Sequence, residues 1–305
     1  MIHSKEEIEA FKKQGIHVIR RGDKEYPQRL GNLHQPPEVL YCKGDLSLLT
    51  RPAISIVGTR TCTRYGIDVA KRFAKKFAEA GIVVISGLAD GIDTAAHLGA
   101  VEGSGGQQLN TIAVLGNGVN HCYPQANVKL QDKIAGHGLL VSEYLPNDTG
   151  NKYYFPMRNR IVAALSKALL IVEADLKSGT MITKDFALDL GIDVFAIPGP
   201  VTSLQSRGTN ALIKEAACSC AVEPDDVLAT FGVTVKSQVA KNTLVQISFD
   251  EKRILDIIGR EAVHIDEILE RSAMPIPKLA VLLTSMELKG LLRKLSGNVY
   301  SCQEC

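Results

Sequence analysis

Short apolar runs alternate with amphipathic segments along most of the chain. Residues 54–57 form a largely apolar run that stops at Gly58-Thr59-Arg60, as a buried parallel strand does where it meets a tight turn. Apolar residues then recur at helical spacing between positions 70 and 77, and a second apolar run, residues 82–85, stops at Ser86-Gly87. The pattern predicts a βαβ unit whose two turns lie side by side beyond the carboxyl ends of the strands.

The same alternation continues to about residue 210. Four further apolar runs predict strands at residues 111–115, 139–142, 168–172 and 194–197. Small polar turns follow several of them, notably Gly116-Asn117-Gly118 and Ser178-Gly179-Thr180. Six strands alternating with helices predict an α/β fold, an extended Rossmann-like, doubly wound and mostly parallel sheet. Because every turn follows a strand, all the turns should gather at one edge of that sheet.

The two ends of the chain differ from this central region, which we place at residues 51–232. Residues 1–50 hold one amphipathic helix candidate and proline-punctuated sequence, and we interpret them as an N-terminal appendage that packs on the core. A polar linker is predicted at residues 233–246. Residues 247–305 combine three helical patterns with a hairpin around Ser296-Gly297-Asn298, which predicts a winged-helix domain.

Such a domain generally binds duplex DNA through its third helix. In this chain the third helix, predicted at residues 279–288, has only Lys278 and Lys289 as cations. We therefore consider a protein contact or a weak auxiliary role in DNA binding at least as good an interpretation of the domain.

Composition narrows the class of protein. The 305 residues are 45% hydrophobic and 22% charged, which is ordinary for a globular protein. The first residues are polar, and no apolar run approaches the ~20 residues that span a bilayer, so we expect a cytoplasmic protein without a membrane partner. The seven cysteines are scattered, which predicts reduced thiols. Cys218-Ser219-Cys220 and Cys302-x-x-Cys305 could together offer four zinc ligands, but they lie in different predicted domains, so we expect no structural metal.

Positive charge is concentrated at the predicted strand ends, although the net charge of the chain is only +2. The cations concerned are Arg60, Arg64, Lys152, Arg158, Arg160 and Arg207. Glycine-rich turns leave backbone N–H groups accessible to phosphate oxygens, although any Rossmann-like sheet also needs sharp turns for its connections. A single nucleotide needs fewer than six cations, whereas a backbone with several phosphates would use them.

Aromatic residues stand beside one of these cations, in the segment Lys152-Tyr153-Tyr154-Phe155. Aromatic faces interleaved with cations suit unpaired bases stacked above a phosphate track. The alternative is that the rings fill the core and that the next residue, a proline, begins a helix. Arg158 and Arg160 are two positions apart and cannot share one helix face, so we expect at least one of them to pair with Glu173 or Glu143.

Recognised catalytic signatures are missing from the sequence. It contains no G-x-G-x-x-G fingerprint, Walker loop, H-E-x-x-H helix or G-x-S-x-G elbow. Asp90, Asp93, Glu143 and Glu173 lie near strand ends, where carboxylates pair with arginines more often than they act as acids or bases. The sequence therefore predicts a binding protein rather than an enzyme.

Several segments together resemble a known family. They read, in order, SGLADGIDTAAH, TIAVLGNGVNHCYP, LLVSEYLP, FPMRNRIVAALS, IVEADLKSGTMITKDFAL and VFAIPGP. This series is similar to the DNA-processing protein A family (DprA, also called Smf), over residues 26–217. The chain differs in having Gly191-Ile192-Asp193 where the family usually has a Gly-Arg pair, and Glu215-Ala216-Ala217 where Gly-Ala is common.

The resemblance implies a homodimeric single-stranded-DNA-binding protein without a cofactor, which protects incoming DNA and loads a RecA-type recombinase in natural transformation. It places Arg60, Lys152 and Phe155 in the DNA pocket, with Glu173 lining the same pocket. Together with the turns and cations, this defines a candidate DNA- or phosphate-binding set: Gly58, Thr59, Arg60, Ser86, Gly87, Gly116, Asn117, Gly118, Lys152, Phe155, Arg158, Arg160, Glu173, Ser178, Gly179 and Thr180.

A second interpretation is a nucleotide sensor or nucleotide hydrolase. The chain resembles, more remotely, the cytokinin-riboside phosphoribohydrolases, which use a Gly-Thr turn followed closely by a glutamate. Here Gly179-Thr180 is followed by Met181-Ile182-Thr183, so the carboxylate is absent. This difference favours binding over hydrolysis.

Overall fold

The computed structural model describes residues 4–106, 108–233, 247–259, 262–295 and 297–302. These residues belong to two compact units, one on each side of the predicted linker, and each is described by itself. Residues 234–246 of that linker lie outside the described residues.

The first unit contains helices and strands in near-regular alternation. Its helices are α1 (Lys5–Lys13), α2 (Arg64–Glu79), α3 (Ile92–Gly103), α4 (Val128–His137), α5 (Tyr154–Ala164), α6 (Thr180–Asp189), α7 (Arg207–Lys214) and α8 (Pro224–Leu228). Its strands are β1 (Ile16–Arg20), β2 (Val39–Gly44), β3 (Ala53–Val57), β4 (Val83–Ser86), β5 (Thr111–Val114), β6 (Leu139–Ser142), β7 (Ala168–Ile171), β8 (Asp193–Ala196) and β9 (Ser219–Cys220).

The nine strands form one sheet in the order β1-β2-β6-β5-β4-β3-β7-β8-β9. The six strands predicted from apolar runs are β3 to β8, and each pairs in parallel with its neighbours in that series. The doubly wound, mostly parallel sheet is therefore confirmed. Strands β1 and β2 come from the N-terminal segment and extend the sheet through an antiparallel pairing of β2 with β6.

Helices cover both faces of the sheet, and β3 shows how its side chains divide between them. Ile54 and Ile56 join Phe73 of α2 in the core on one face. Val57 joins Ile161 of α5 in the core on the other face. All five residues of β3 are buried, as expected for a central parallel strand covered on both sides.

The strand order reverses at β3. From β3 the chain moves outward through β4, β5 and β6, and it then returns to place β7 on the other side of β3. In sheets of this kind the connections after the two central strands leave in opposite directions, which opens a crevice beyond their carboxyl ends. The turns after β3 and β7 therefore border the natural ligand site of this fold.

The second unit contains α9 (Phe249–Ile258), β10 (Val263–His264), α10 (Ile265–Ser272), α11 (Ile276–Leu288), β11 (Leu292–Leu295) and β12 (Val299–Cys302). The three helices and the terminal hairpin predicted from sequence are confirmed, and β10 adds a third strand to the hairpin. Gly297 and Asn298 both have positive φ, as the tight turn of such a hairpin requires. Ser296 lies outside the described residues.

The described residues were also compared with what a membrane span, a metal site or a disulfide would require. No helix among them is long and apolar enough to cross a membrane. Within the same ranges, no group of three or more His, Cys, Asp or Glu side chains is placed to hold a metal ion. Cys42, Cys62, Cys122, Cys218 and Cys220 are reduced thiols.

Candidate nucleic-acid interface

A cleft of about 470 Å³ lies at the strand-order reversal, beyond the carboxyl ends of β3 and β7. We call it the cleft. Four of its walls are the turn after β3, the start of α3, the segment that leads into α5, and the turn that begins α6. Its lining comprises Val57, Gly58, Thr59, Arg60, Ala89, Asp93, Tyr123, Lys152, Phe155, Pro156, Arg158, Asn159, Ser178, Gly179, Thr180, Ile182 and Thr183.

The turn after β3 is held in place by its own backbone contacts. The Thr59 N–H donates to the carbonyl oxygen of Glu173 at 2.7 Å. A Cβ on Gly58 would come within 2.5 Å of the Ile92 side chain and 2.9 Å of the same carbonyl oxygen, so only glycine fits. The side chain of Arg60 extends from this turn into solvent at the mouth of the cleft.

Glu173 supports this turn from below and is not among the residues that line the cleft. Its carboxylate is buried and accepts hydrogen bonds from the hydroxyl of Thr63 at 2.6 Å and from the N–H of Thr63 at 2.8 Å. Thr63 is the N-cap of α2, so Glu173 fixes the point where the turn becomes a helix. The expectation that Glu173 lines the DNA pocket is therefore replaced by a positioning role.

Cations and aromatic rings form the rim of the cleft, by which we mean Arg60, Tyr123, Lys152 and Phe155, which line it, and Tyr153, which lies beside Lys152. The Arg60 guanidinium lies 5.8 Å from the centre of the Phe155 ring, and the Lys152 ammonium lies 5.0 Å from that of Tyr153. The rings of Tyr123 and Phe155 are 5.1 Å apart. The rim thus alternates positive charge with aromatic faces.

The floor of the cleft is a buried network around Arg158 and Asp93. Arg158 is only 3% exposed, and its guanidinium donates to the carbonyl oxygens of Gly87, at 2.7 Å, and Val114. The Asp93 carboxylate accepts from the N–H groups of Gly87 at 3.1 Å and Ala89 at 3.4 Å. Burial raises the pKa of the Asp93 carboxyl above its usual range, and the Arg158 guanidinium opposes that rise.

Arg158 therefore stabilises the carboxyl ends of β4 and β5, because it satisfies carbonyl oxygens there. Its Nε donates to the Asn159 side chain and one terminal nitrogen donates to both carbonyl oxygens, so most of its donors are engaged inside the protein and its main role is structural. Gly87 leaves the space that this guanidinium occupies, since a Cβ at Gly87 would lie 2.4 Å from a guanidinium nitrogen. Ser86 is fully buried, and its hydroxyl donates to the carbonyl oxygen of Ile56 at 2.7 Å, so it also has a structural role.

Arg160 lies away from the cleft. Its guanidinium makes a two-pronged ion pair with Glu143, with both nitrogen–oxygen distances at 2.6 Å, and it also donates to the carbonyl oxygen of Gln35 at 3.0 Å. Arg160 is 6% exposed. The pairing with Glu143 raised by the sequence analysis is thus present, and the phosphate contact expected of Arg160 has no support in the geometry.

The turn after β5 is filled by protein. A Cβ on Gly116 would meet the Phe155 ring at 2.7 Å, and one on Gly118 would meet the carbonyl oxygen of Leu145 at 2.1 Å. The Asn117 amide donates to the carbonyl oxygen of His121 at 2.7 Å. Gly116, Asn117 and Gly118 are all buried and none lines the cleft, so their expected ligand contact is replaced by a packing role.

The turn before α6 remains open to the cleft. The Ser178 hydroxyl accepts from the N–H of Thr180 at 3.2 Å and lies 3.0 Å from its hydroxyl. Gly179 is exposed, and a Cβ placed on it would touch nothing within 4 Å. Ile182 and Thr183, which follow Gly179-Thr180 closely, line the cleft. Among the described lining residues, Asp93 is the one carboxylate.

Several lining residues were not anticipated from sequence. Tyr123 is 50% exposed and faces Phe155, and Asn159 lies between the two buried arginines. Tyr123 is part of the motif TIAVLGNGVNHCYP, so a signal for it was present. It was missed because the turn that directly follows the strand of this motif is Gly116-Asn117-Gly118, and Tyr123 lies five residues further along the chain.

In the second unit, the cations of the third helix are neutralised. Lys278 pairs with Asp250 and Lys289 pairs with Glu251, each at 2.6 Å, and both acids belong to α9. These contacts leave α11 without the unpaired positive charge that DNA-binding helices use on the phosphate backbone.

These features define a class: a Rossmann-like protein with a cationic, aromatic cleft at the strand-order reversal, joined to a winged-helix domain. Comparison with known families is consistent with this class and narrows it. Residues 17–232 match the model of the DNA recombination-mediator protein A family, and residues 240–298 match that of the DprA winged helix domain. The chain belongs to the DNA recombination-mediator protein A family.

Individual relatives cover much of the chain. It is 40% identical to the DNA processing protein DprA of Bacillus subtilis strain 168 over 211 residues, 69% of this chain and 70% of the relative. The crystal structure of DprA from Streptococcus pneumoniae superposes with a TM-score of 0.66 at 38% identity, covering 72% of this chain and 77% of that one. DprA from Helicobacter pylori, whose structure addresses its single-stranded DNA binding mode, gives a TM-score of 0.64 at 31% identity, covering 71% and 95%.

Proposed function

We propose that the chain binds single-stranded DNA in the cleft, with phosphates on Arg60 and Lys152 and bases on the aromatic rings of the rim. The observation that carries this proposal is the alternation of exposed cations with rings, with Arg60 only 5.8 Å from the centre of Phe155. A ring can stack only on a base that is not enclosed in a duplex, which favours a single strand. The DNA-binding relative from Helicobacter pylori supports the same ligand.

We further propose that the protein acts without catalysis and in the cytoplasm. Asp93, the carboxylate of the cleft, is buried and engaged by two N–H groups, which leaves it poorly placed to take a proton from a substrate. Release of base from nucleoside monophosphates by the purified chain would contradict the first part of this proposal. Cell fractionation tests the second part.

The family resemblance extends the proposal to a homodimer that protects incoming DNA and loads a RecA-type recombinase. The first unit has exposed apolar side chains after β8 that suit such contacts: Val201 is 89% exposed and Leu204 56%. We expect Val201→Glu to shift the chain from dimer to monomer in light scattering. Strand exchange by a RecA-type recombinase on DNA coated with single-strand-binding protein tests the loading step.

For the winged-helix domain we propose a protein contact or a weak auxiliary role in DNA binding. The ion pairs of Lys278 and Lys289 support this, because they leave little positive charge on α11 for a phosphate backbone.

The experiment that tests the DNA site compares Arg60→Glu with Lys75→Glu. Both reverse one exposed cation, but Lys75 lies near the carboxyl end of α2, toward the opposite edge of the sheet. Fluorescence anisotropy with single-stranded oligonucleotide should show affinity falling roughly 10- to 100-fold for Arg60→Glu, because a charge-assisted contact is lost and a repulsive carboxylate is added. Lys75→Glu should bind as the parent does. Equal binding by all three proteins would place the DNA elsewhere.

A further inference from the structure

A second cavity, of about 500 Å³, lies at the opposite edge of the sheet from the cleft. We call it the amino-edge cavity, because it is bordered by the residues just before β3 and β7. Residues 24–29, which follow β1, and Phe231, beyond α8, complete its walls. Ligand sites of parallel sheets normally lie at the carboxyl edge, so the fold itself gives no reason for a polar cavity here.

Four cations face this cavity against a single carboxylate. They are Lys24, Arg29, Arg51 and Lys167, and the carboxylate is Glu25. The net charge of the whole chain is only +2, so this is a local concentration of positive charge. Like charges gathered around one space repel each other, and an anion that enters the space relieves that repulsion.

Two of these cations are fixed by hydrogen bonds. A guanidinium nitrogen of Arg51 donates to the carbonyl oxygen of Gly81 at 2.9 Å, and the Lys167 ammonium donates to the carbonyl oxygen of Thr230 at 2.5 Å. Each bond occupies one donor and leaves others for a ligand. Among the described residues, the side chains of Lys24 and Arg29 make no ion pair or hydrogen bond, so their donors are fully available.

The amino-edge cavity has the same pairing of a cation with an aromatic ring as the rim of the cleft. The Lys167 ammonium lies 5.5 Å from the centre of the Phe231 ring, as Arg60 lies 5.8 Å from that of Phe155. Arg29 and Lys167 also border an adjoining cavity of about 210 Å³, so the charged surface continues beyond the first space. A cation beside an aromatic face suits a phosphate with its attached base better than an inorganic anion alone.

We propose that the amino-edge cavity is a second nucleotide-binding site, with phosphate on the four cations and a base against Phe231. This inference rests on the proposed function, since it gives the chain two places for the same ligand chemistry. The nucleotide unit has two sources: a further stretch of the strand that occupies the cleft, or a free nucleotide. The five residues of β3 separate the two sites by about 17 Å plus their turns, a distance that one continuous strand can cover.

The test uses the double variant Lys24→Glu/Arg29→Glu in the full chain, with Lys129→Glu/Lys133→Glu as the control. The control residues are exposed lysines of α4 that line neither cavity. Neither change removes a hydrogen bond seen in the described residues, and thermal unfolding verifies that each protein is folded. Affinity is measured for single strands of about six and about thirty nucleotides. Single-strand-binding modules such as the OB fold cover roughly 4–16 nucleotides each, so the short strand should occupy one site and the long strand can reach both.

If a further stretch of the same strand is the ligand, the double variant should bind the long strand roughly tenfold more weakly, and its plot of log affinity against log salt should flatten by about 1.4 for two lost phosphate contacts. Binding of the short strand should change much less. If a free nucleotide is the ligand, an Arg60→Glu chain should bind ATP in calorimetry, and adding the double change should abolish that binding. Unchanged long-strand affinity together with unchanged ATP binding overturns the inference.

Failure of this inference is distinguishable from failure of the proposed function. If Arg60→Glu weakens binding of the short strand while the double variant binds every probe as the parent does, the cleft stands and the amino-edge site is wrong. If the double variant loses affinity while Arg60→Glu does not, the amino-edge site stands and the cleft is wrong.

Discussion

The rim and the floor of the cleft use the same kinds of residue for different purposes. At the rim, Arg60 and Lys152 are exposed and lie beside aromatic rings. Arg158 in the floor and Arg160, which lies away from the cleft, are 3% and 6% exposed and are bound to carbonyl oxygens or to Glu143. Positive charge at a strand end is therefore not in itself evidence of a ligand contact. A cation at a strand end is available to a ligand only where the protein does not already supply hydrogen-bond acceptors for it.

The largest effect should come from the buried ion pair. Glu143→Ala leaves the Arg160 guanidinium enclosed without its counter-charge, and breaking one side of a buried pair costs about 3–5 kcal/mol. Urea unfolding should therefore show a much lower free energy of unfolding than in the parent. Arg60→Ala is the matched change at the rim, and its stability should be close to that of the parent. Similar losses in both variants would remove the distinction between the exposed cations of the rim and the buried, paired ones.

The next largest effect should distinguish the turn after β5, which is filled by protein, from the turn before α6, which is open to the cleft. In Gly118→Ala the added methyl group would meet backbone carbonyl oxygens at 2.1 and 2.3 Å, which cannot yield as a side-chain end can. We expect a loss of about 1–3 kcal/mol in the free energy of unfolding, as for an overpacked core. Gly179→Ala meets nothing within 4 Å and should leave stability nearly unchanged. Equal stability in the two variants would show that the turn after β5 is as open as the turn before α6.

Phe155 should matter for binding through stacking and not through charge. We expect Phe155→Ala to weaken single-stranded DNA binding by about 1–3 kcal/mol, while the salt dependence of the affinity stays nearly unchanged. Tyr65→Ala, which removes a partly exposed ring that does not line the cleft, is the control. A Phe155→Ala protein that binds as tightly as the parent would mean that the ring only fills the turn after β5.

The smallest effect should come from the winged-helix domain. Lys278 is the cation at the start of α11, and its ammonium already pairs with Asp250 at 2.6 Å. Lys278→Ala should change single-stranded DNA affinity by less than about twofold, because little free charge is removed. An effect as large as that of Arg60→Glu would assign this helix a direct part in DNA binding.

Sequence patterns predicted the turns that border the cleft but did not determine which residues are open to it. Strands β3 to β8 and the turns after them were predicted because a buried parallel strand and its terminal glycine are encoded locally. That the turn Gly116-Asn117-Gly118 is filled by protein was not predictable in this way, because the ring that packs against it belongs to Phe155, about forty residues later in the chain.

Other features that the sequence did not predict also depend on contacts between distant parts of the chain or lack a local pattern. Strand β1 alternates apolar with polar residues and β9 is only two exposed residues long, so neither shows the apolar run that indicates a buried strand. Strand β2 does begin with a short apolar run, residues 39–42, but that run follows Pro36-Pro37 in a proline-punctuated segment and was not assigned as a strand. The pairing of Arg160 with Glu143 was one of two partners that sequence spacing allowed. The choice between them depends on the packing of α5 beside β6, which is a tertiary property.

The most direct test of the account is the salt dependence of single-stranded DNA affinity in the pair Arg60→Gln/Lys152→Gln. Each lost phosphate contact reduces the slope of log affinity against log salt by about 0.7 for single strands. We predict a slope smaller by about 1.4 than that of the parent, with Lys129→Gln/Lys133→Gln unchanged. A folded double variant that keeps the slope and affinity of the parent would contradict the assignment of the rim as the DNA-binding surface.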